Sequence, residues 1–255
     1  MPKLIALILG LVQGLTEFFP ISSSAHLKLV KMLMHATEIP VMFDLVCHLG
    51  SLGALIWFFR TDIKQLVVFD RKRLSYFFIA LLPLIPCYFL LNPVRKFASQ
   101  PEFLGLFLML TGGILILGGR VRIKHKRKRS LLRDVLLIGT MQSAALIPGI
   151  SRSASTISCA QILGWKSKDA VRFSFLLAIP TIIGGNFIEA RHLWKKGQIT
   201  QFLNLECLIG FAAAFFVGLL VIRFAINWLE KGKLKLFAWY CLLIGFGANV
   251  YMFLK

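Results

Sequence analysis

Acidic residues are scarce in this sequence, and so is charge in general. The 255 residues include 11 Asp and Glu against 30 Lys and Arg, which gives a formal net charge of +19. Only 16% of the residues are charged and 57% are hydrophobic, whereas soluble domains are about half apolar and about a quarter charged. Because no polar stretch is long enough to fold alone, we interpret residues 1–255 as a single membrane domain.

Cysteine is also sparse and follows no pattern. The five cysteines are scattered, mostly within apolar stretches, without the spacing of a metal site or a disulfide framework.

The positive charge has two interpretations: nucleic-acid binding, or the Lys and Arg excess of cytoplasmic loops in membrane proteins. The charges fall in short loops between apolar stretches, which favours the second interpretation and predicts no nucleic-acid partner.

Long apolar stretches recur along the whole chain, and the mean hydropathy is +0.75. Six stretches are long enough, or nearly so, to cross about 30 Å of hydrocarbon as helices. The sequence therefore predicts an all-α integral membrane protein with six transmembrane helices. The predicted spans are Val41–Phe59, Leu74–Leu91, Phe103–Gly119, Ala170–Ala190, Leu203–Ile222 and Leu236–Leu254.

Two further apolar stretches are interrupted by proline and serine. Pro20 and three serines interrupt Leu4–Val30, and Pro148-Gly149 with two further serines interrupt Leu131–Leu163. Proline ends one helix and a following serine caps the next. A broken helix at membrane depth is tolerated only where it lines a cavity or is buried in protein. Both stretches are therefore predicted to be re-entrant helical hairpins.

The two interruptions resemble each other at an offset of 129 positions. Each is followed by three predicted spans, an odd number, so the second copy would enter the membrane upside down. The sequence thus predicts an inverted-topology repeat of residues 1–119 and 131–255, with a site where the copies meet; chance similarity of apolar segments is the alternative. The matched pairs are Gly10 with Gly139, Gln13 with Gln142, Ser22 with Ser151, and Ser24 with Ser153.

Basic loops predict the orientation of the spans. The loop Arg120–Arg133 and the loops on its side carry most of the Lys and Arg residues, and the opposite loops carry few. The positive-inside rule places the basic side in the cytoplasm and both chain termini outside.

Ionisable residues distinguish the two copies. Glu17 and His26 lie in the first copy, and Arg152 lies in the second, opposite Ser23. Charges at membrane depth are costly and are therefore functional by default, although a structural Glu17–Arg152 ion pair is the alternative. Asp44 and His48, four residues apart at the start of the first span, are interpreted either as a layer behind the site or as interfacial residues.

Serines at two helix N-termini predict an anion site, since free backbone N–H groups and the helix dipole attract phosphate there. Arg152 can bind phosphate oxygens with two nitrogens. His26 could be a nucleophile or an acid–base group, and Ser23 is an alternative nucleophile. Glu17 could orient His26 or bind a divalent cation. The residues alone leave these roles open.

Two motifs resemble a known family. The segment Gln13–His26 is similar to the glutamate-rich motif of the undecaprenyl-diphosphate phosphatases of the bacitracin-resistance type, and Pro148–Thr156 is similar to their second motif. The resemblance covers essentially the whole chain. It implies a multi-pass enzyme of the bacterial plasma (inner) membrane that hydrolyses undecaprenyl diphosphate to undecaprenyl phosphate and inorganic phosphate. That reaction recycles the lipid carrier of cell-wall synthesis and confers bacitracin resistance.

The resemblance also implies site residues. It implies a site open to the outer face and a divalent cation, Mg²⁺ or Ca²⁺, with Glu17 as a ligand. Gln13 stands where many members have glutamate, which puts a two-carboxylate metal site in doubt. The catalytic residues are expected to be Glu17, Ser23, His26 and Arg152, and the substrate-binding residues Gln13, Ser22, Ser151, Ser153 and Thr156.

A competing prediction comes from another class of protein. Inverted repeats and broken helices are features of transporters, so the same phosphate cradle could serve a lipid-phosphate transporter or flippase. Phosphate release by the purified protein distinguishes the two. Membrane lipid is a predicted partner, and the sequence leaves open whether the chain also forms a homodimer.

Overall fold

The computed structural model describes residues 1–120, 130–195, 197 and 204–254, and regular structure within them is entirely helical. This confirms the predicted all-α class. The 3₁₀ turns Pro101–Phe103 and Ser143–Leu146 accompany the α-helices. The helices are α1 Lys3–Thr16, α2 Ser23–Leu33, α3 Val41–Phe58, α4 Arg60–Phe69, α5 Arg71–Leu81, α6 Leu84–Leu90, α7 Asn92–Ala98, α8 Leu104–Arg120, α9 Leu131–Gln142, α10 Arg152–Ile162, α11 Ser167–Lys195, α12 Leu205–Glu230 and α13 Leu234–Phe253.

Six helical segments of the described chain are long and apolar enough to cross a membrane. They coincide with the six predicted spans and confirm a multi-pass membrane protein. Several helices continue past the predicted ends, because Lys, Arg and Glu are good helix formers once the apolar stretch is over. The segments are Val41–Phe58, Arg71–Leu90, Pro101–Arg120, Ser167–Lys195, Leu205–Glu230 and Leu234–Phe253.

The sequence led us to expect one continuous helix for the second span, but the structure divides this span into two helices. Helix α5 ends at Leu81 and α6 begins at Leu84, with Pro83 at its N-cap. Proline has no N–H and its ring collides with the preceding turn, so the helix is interrupted at this point. The basic loop used to predict the orientation lies largely outside the described residues, which omit 121–129.

Helices end where the sequence predicted the two interruptions. Helix α1 ends at Thr16 and α2 begins at Ser23, and α9 ends at Gln142 before α10 begins at Arg152. We call residues 17–22 the first break and residues 143–151 the second break. The first break contains Ser22 with φ 67°, and the second contains Gly149 with φ 99°.

The helices that precede the two breaks are held by close backbone contact with neighbouring helices. A Cβ built on Gly10 of α1 would lie 2.6 Å from the carbonyl oxygen of Gly210 in α12. A Cβ on Gly139 of α9 would collide with the carbonyl of Ala80 in α5. Small residues allow such approach between membrane helices. A hydrophobic core cluster joins Phe18 of the first break to Ile157 of α10 and Phe175 of α11, which fixes the two breaks side by side.

Candidate active site

Glu17 and Arg152 meet at the point where the two breaks face each other. Nη2 of Arg152 lies 3.3 Å from Oε1 of Glu17, although 135 positions separate them. Nη1 of Arg152 donates to the carbonyl oxygen of Ser174 in α11 at 3.3 Å. Buried charges are tolerated only when paired and hydrogen-bonded, and this pair satisfies that condition. The predicted meeting of acid and guanidinium is therefore present.

The second carboxylate oxygen of Glu17 accepts hydrogen bonds from the first residue of α2 and from α1. Oε2 accepts from Oγ of Ser23 at 2.7 Å and from Nε2 of Gln13 at 2.9 Å. A short O–H···O⁻ bond is charge-assisted and strong. Because the Ser23 proton is directed at a carboxylate, the pair has the arrangement of a nucleophile with its base.

Serines at the N-terminus of α10 connect this helix to the first break. Oγ of Ser151 accepts from the backbone N–H of Ala154 at 3.3 Å and so caps the helix. Oγ of Ser153 lies 3.2 Å from Oγ of Ser151 and donates to the carbonyl oxygen of Phe19 at 3.4 Å. The hydroxyl groups and the helix N-terminus together form a surface suited to phosphate oxygens.

A cavity of about 360 Å³ opens beside this cluster. Six of the predicted site residues line it, and α3 and α11 supply the opposite walls. A cavity that joins a paired charge, several hydroxyls and a helix N-terminus is suited to an anionic group. The polar lining residues are Thr16, Glu17, Ser22, Ser23, Ser24, Asp44, His48, Ser151, Arg152, Ser153, Thr181 and Asn186.

His26 lies away from the Glu17–Arg152 pair. Its Nδ1 is 2.8 Å from the carbonyl oxygen of Ser22, and its Nε2 is 2.9 Å from the hydroxyl oxygen of Tyr240 in α13. The two rings stack with centroids 5.6 Å apart. Spacing of four residues correctly places His26 and Ser22 on one face of the chain, but it does not specify the neighbouring helix that this face meets.

Gln13 and Thr156 lie behind the cavity rather than along it. Besides Glu17, Nε2 of Gln13 donates to Oγ of Ser51 in α3 at 3.2 Å. Oγ1 of Thr156 donates to the carbonyl oxygen of Arg152 at 2.9 Å and contacts Oγ of Ser174 at 2.6 Å. Gln13 thus supports Glu17 and Thr156 supports Arg152, and neither Gln13 nor Thr156 lines the cavity.

His48 is the imidazole that does line the cavity. Its Nε2 lies 3.8 Å from Oε2 of Glu17, and its Nδ1 lies 2.7 Å from the carbonyl oxygen of Asp44. Asp44 also lines the cavity and pairs with the buried Lys31 at 2.7 Å. The sequence signal for both was their spacing of four residues. Thr181 and Asn186 carried no signal, because uncharged polar residues are unremarkable within an apolar span.

The donor set decides what kind of cation could bind here. The described residues contain no group of three or more His, Cys, Asp or Glu that could hold a metal ion. Glu17 is paired with Arg152, and the nearby Asp44 is paired with Lys31. Mg²⁺ is often held by one or two carboxylates together with substrate phosphates. The site therefore fits a cation that arrives with a phosphorylated substrate, and not a cation held by protein groups alone.

Comparison with known proteins gives consistent results along almost the whole chain. The family described as bacitracin resistance protein BacA matches residues 6–247. The undecaprenyl-diphosphatase of Protochlamydia amoebophila (strain UWE25) is 40% identical over 250 residues, which cover 96% of this chain and 97% of the relative. Those of Carboxydothermus hydrogenoformans and Geobacter metallireducens are 37% and 35% identical, over 94% and 99% of both chains respectively.

Proposed function

This chain belongs to the bacitracin resistance protein BacA family, and on that premise we propose that it hydrolyses undecaprenyl diphosphate to undecaprenyl phosphate and inorganic phosphate. It is then an integral membrane phosphatase that recycles the lipid carrier of cell-wall synthesis and confers bacitracin resistance. The observation that carries the proposal is the cluster in which Glu17 accepts a hydrogen bond from Ser23 and pairs with Arg152.

Ser23 is the proposed nucleophile. Its proton passes to Glu17 as its oxygen attacks the terminal phosphorus, and the bond from that phosphorus to the bridging oxygen breaks. Undecaprenyl phosphate leaves with the bridging oxygen, and water then hydrolyses the phosphoserine to release inorganic phosphate. The 2.7 Å contact between Ser23 and Glu17 supports Ser23 over His26, both of whose ring nitrogens have other partners.

Arg152 and the serines stabilise the charge of the transferred phosphoryl group. The guanidinium binds two phosphate oxygens in a fork, and it replaces water in a buried site where such contacts are strong. Ser22, Ser151 and Ser153 line the cavity around it and donate hydrogen bonds to the remaining oxygens. Gln13 and Thr156 hold Glu17 and Arg152 from behind, and His26 positions Ser22 through its carbonyl.

A divalent cation, Mg²⁺ or Ca²⁺, is part of the proposal. Glu17 would hold it together with the oxygens of the diphosphate, and Gln13 cannot supply the second carboxylate. When bound, the cation neutralises phosphate charge. The proton transfer and the orientation of the phosphoryl group remain with Ser23, Glu17 and Arg152.

We further propose that the breaks belong to two re-entrant hairpins in an inverted repeat, residues 1–119 and 131–255. Matched contacts support this. Gly10 and Gly139 approach α12 and α5 in the same way, and Gln13 and Gln142 bond to a hydroxyl 38 and 39 positions later. The protein then lies in the bacterial plasma (inner) membrane with the cavity open to the outer face.

Phosphate release from purified protein in detergent tests the function. Wild-type protein should release inorganic phosphate from undecaprenyl diphosphate, and a chelator should reduce the rate. Glu17→Gln keeps the size of the side chain but removes its charge and its capacity as a base, so it should lower kcat by about a hundredfold or more. Wild-type protein that releases no phosphate but moves lipid phosphate across vesicles would replace this proposal with the transporter.

A further inference from the structure

The wall of the cavity formed by α11 contains polar residues that the catalytic proposal does not use. Thr181, Ile182, Gly185 and Asn186 line the cavity from this helix. They follow Pro180, which lies inside α11. None belongs to either of the two sequence motifs. Their spacing places them along one side of the helix, facing the breaks.

Asn186 has an unusual environment within this wall. Its side-chain Nδ2 is buried and has no hydrogen-bond partner among the described residues. Buried polar groups in proteins nearly always have a partner. A group that enters the cavity can supply the missing partner.

Thr181 of this wall contacts a second carboxamide. The side-chain amide of Gln142, which is 1% exposed, lies 3.2 Å from the hydroxyl oxygen of Thr181. Thr181 itself donates to the carbonyl oxygen of Leu177 at 2.7 Å and is held firmly on α11. The α11 wall thus combines the unpaired amide group of Asn186 with a fixed hydroxyl.

Space beside Asn186 is available for a ligand. Gly185 lines the cavity, and a Cβ built on it would meet nothing within 4 Å. Arg152 contacts α11 at Ser174, and Asn186 lies 12 residues farther on, which is about 18 Å along the helix axis. A single phosphate group bound at Arg152 is therefore not the partner of Asn186.

We propose that Asn186 forms a second, uncharged phosphate subsite in the cavity, separate from the Arg152 subsite. This inference rests on the proposed phosphatase function and adds to that function a residue that binds a phosphate oxygen. Amide N–H groups donate to phosphate oxygens without carrying a charge, so they hold an anion less tightly than arginine does. Such a subsite suits a group that must leave: the phosphate kept by the lipid, or the inorganic phosphate released.

Product inhibition tests the subsite and identifies its occupant. Wild-type protein, Asn186→Leu and Asn186→Asp are assayed with undecaprenyl diphosphate, with undecaprenyl phosphate and inorganic phosphate as separate inhibitors. Asn186→Leu should raise the inhibition constant of one product about tenfold. Asn186→Asp should raise the same constant further, because it adds a negative charge.

The two inhibitors distinguish the sources of phosphate. A change for undecaprenyl phosphate alone assigns Asn186 to the phosphate on the lipid, and a change for inorganic phosphate alone assigns it to the released group. Ile183→Val, on the exposed side of α11, is the matched control and should change neither constant. Unchanged constants for both products in folded Asn186→Leu protein would overturn the inference.

A failure of the phosphatase proposal can be recognised separately. If wild-type protein releases no phosphate, the same two probes are titrated into wild-type and Asn186→Leu protein and binding is measured by calorimetry. Binding that weakens about tenfold in the variant retains the subsite without the reaction. Equal binding of both probes by wild type and variant rejects it.

Discussion

The two helix breaks have similar sequences but differ in both chemistry and backbone. The first break brings Glu17 and leads directly into Ser23, whereas the second leads into Arg152. The second break is conventional, since Ser151 is an extended N-cap whose hydroxyl accepts the Ala154 N–H. The first break is not, since Ser22 has φ 67° and ψ 91° and its side chain caps nothing.

The difference lies in where each break places its unfavourable backbone. In the second break the positive φ falls on Gly149, which tolerates it without cost. In the first break it falls on Ser22, where a side chain makes the same region costly. Strain is commonly retained at functional sites. The strain at Ser22 supports our proposal that the reacting groups lie at the first break, while the second supplies a relaxed helix N-terminus and the Arg152 guanidinium.

The largest effect should come from the position at which the two copies differ most. Ser23 and Arg152 occupy equivalent positions at the offset of 129. The Ser23 side chain provides a hydroxyl that is hydrogen-bonded to a carboxylate, whereas the Arg152 side chain has no hydroxyl. Ser23→Ala should lower kcat by at least about a thousandfold, because it removes the proposed nucleophile. Phosphate release from undecaprenyl diphosphate measures it.

Ser155→Ala is the matched control for this change. Ser155 occupies the position equivalent to His26 and is fully buried, and its hydroxyl donates to the carbonyl oxygen of Ser151, the N-cap of its own helix. It should retain most of the activity. If Ser23→Ala is as active as Ser155→Ala, Ser23 is not the nucleophile and the two breaks do not differ in the way proposed.

Arg152→Lys tests what the second break contributes. Lysine retains the positive charge but not the planar fork, in which Arg152 donates to Glu17 and Ser174 from two separate nitrogens. We expect kcat/KM to fall about a hundredfold while the protein stays folded, as judged by its elution volume in detergent. Wild-type kcat/KM in this variant would mean that charge alone suffices and that the geometry of the pair has no role.

Sequence predicted the breaks and the pairing of Glu17 with Arg152 more successfully than it predicted the surroundings. Prolines, serines and unbalanced charges are local signals, and each marks a helix end or a functional group directly. The rotation of a helix against its neighbours is set by packing over its whole length. For this reason the sequence could not place His26 against Tyr240 or His48 beside Glu17.

The interruption at Pro83 illustrates the same limit. Proline is tolerated inside α11 at Pro180, where the helix continues through it, but the second span is interrupted at Leu82-Pro83. The sequence around the two prolines is apolar in both cases. Neighbouring helices determine whether the freed backbone groups find partners, and that information is not contained in either stretch alone.

The two imidazoles provide a smaller test of the comparison. His48→Ala should lower kcat about tenfold, because His48 lines the cavity beside Glu17. Tyr240→Phe removes the hydroxyl bonded to His26 outside the cavity and should change kcat less than about threefold. Steady-state kinetics of both variants measure the effects. A larger loss of kcat in Tyr240→Phe than in His48→Ala would indicate that His26, and not His48, is the imidazole that matters more for the reaction.

The smallest effect concerns the backbone of the breaks and is measured as stability. Ser22→Gly relieves a conformation that costs about 1–3 kcal/mol, but glycine gains about 0.5–1 kcal/mol of freedom in the unfolded chain. The difference favours the variant, so its unfolding midpoint in detergent should rise slightly. Gly149→Ala should lower the midpoint, because its φ is 99° and the added Cβ would lie 2.5 Å from Cβ of Phe107. A lower midpoint for Ser22→Gly would show that interactions of the serine hydroxyl, such as its 3.3 Å contact with Ser24, outweigh the strain, and the two breaks would then be equally relaxed.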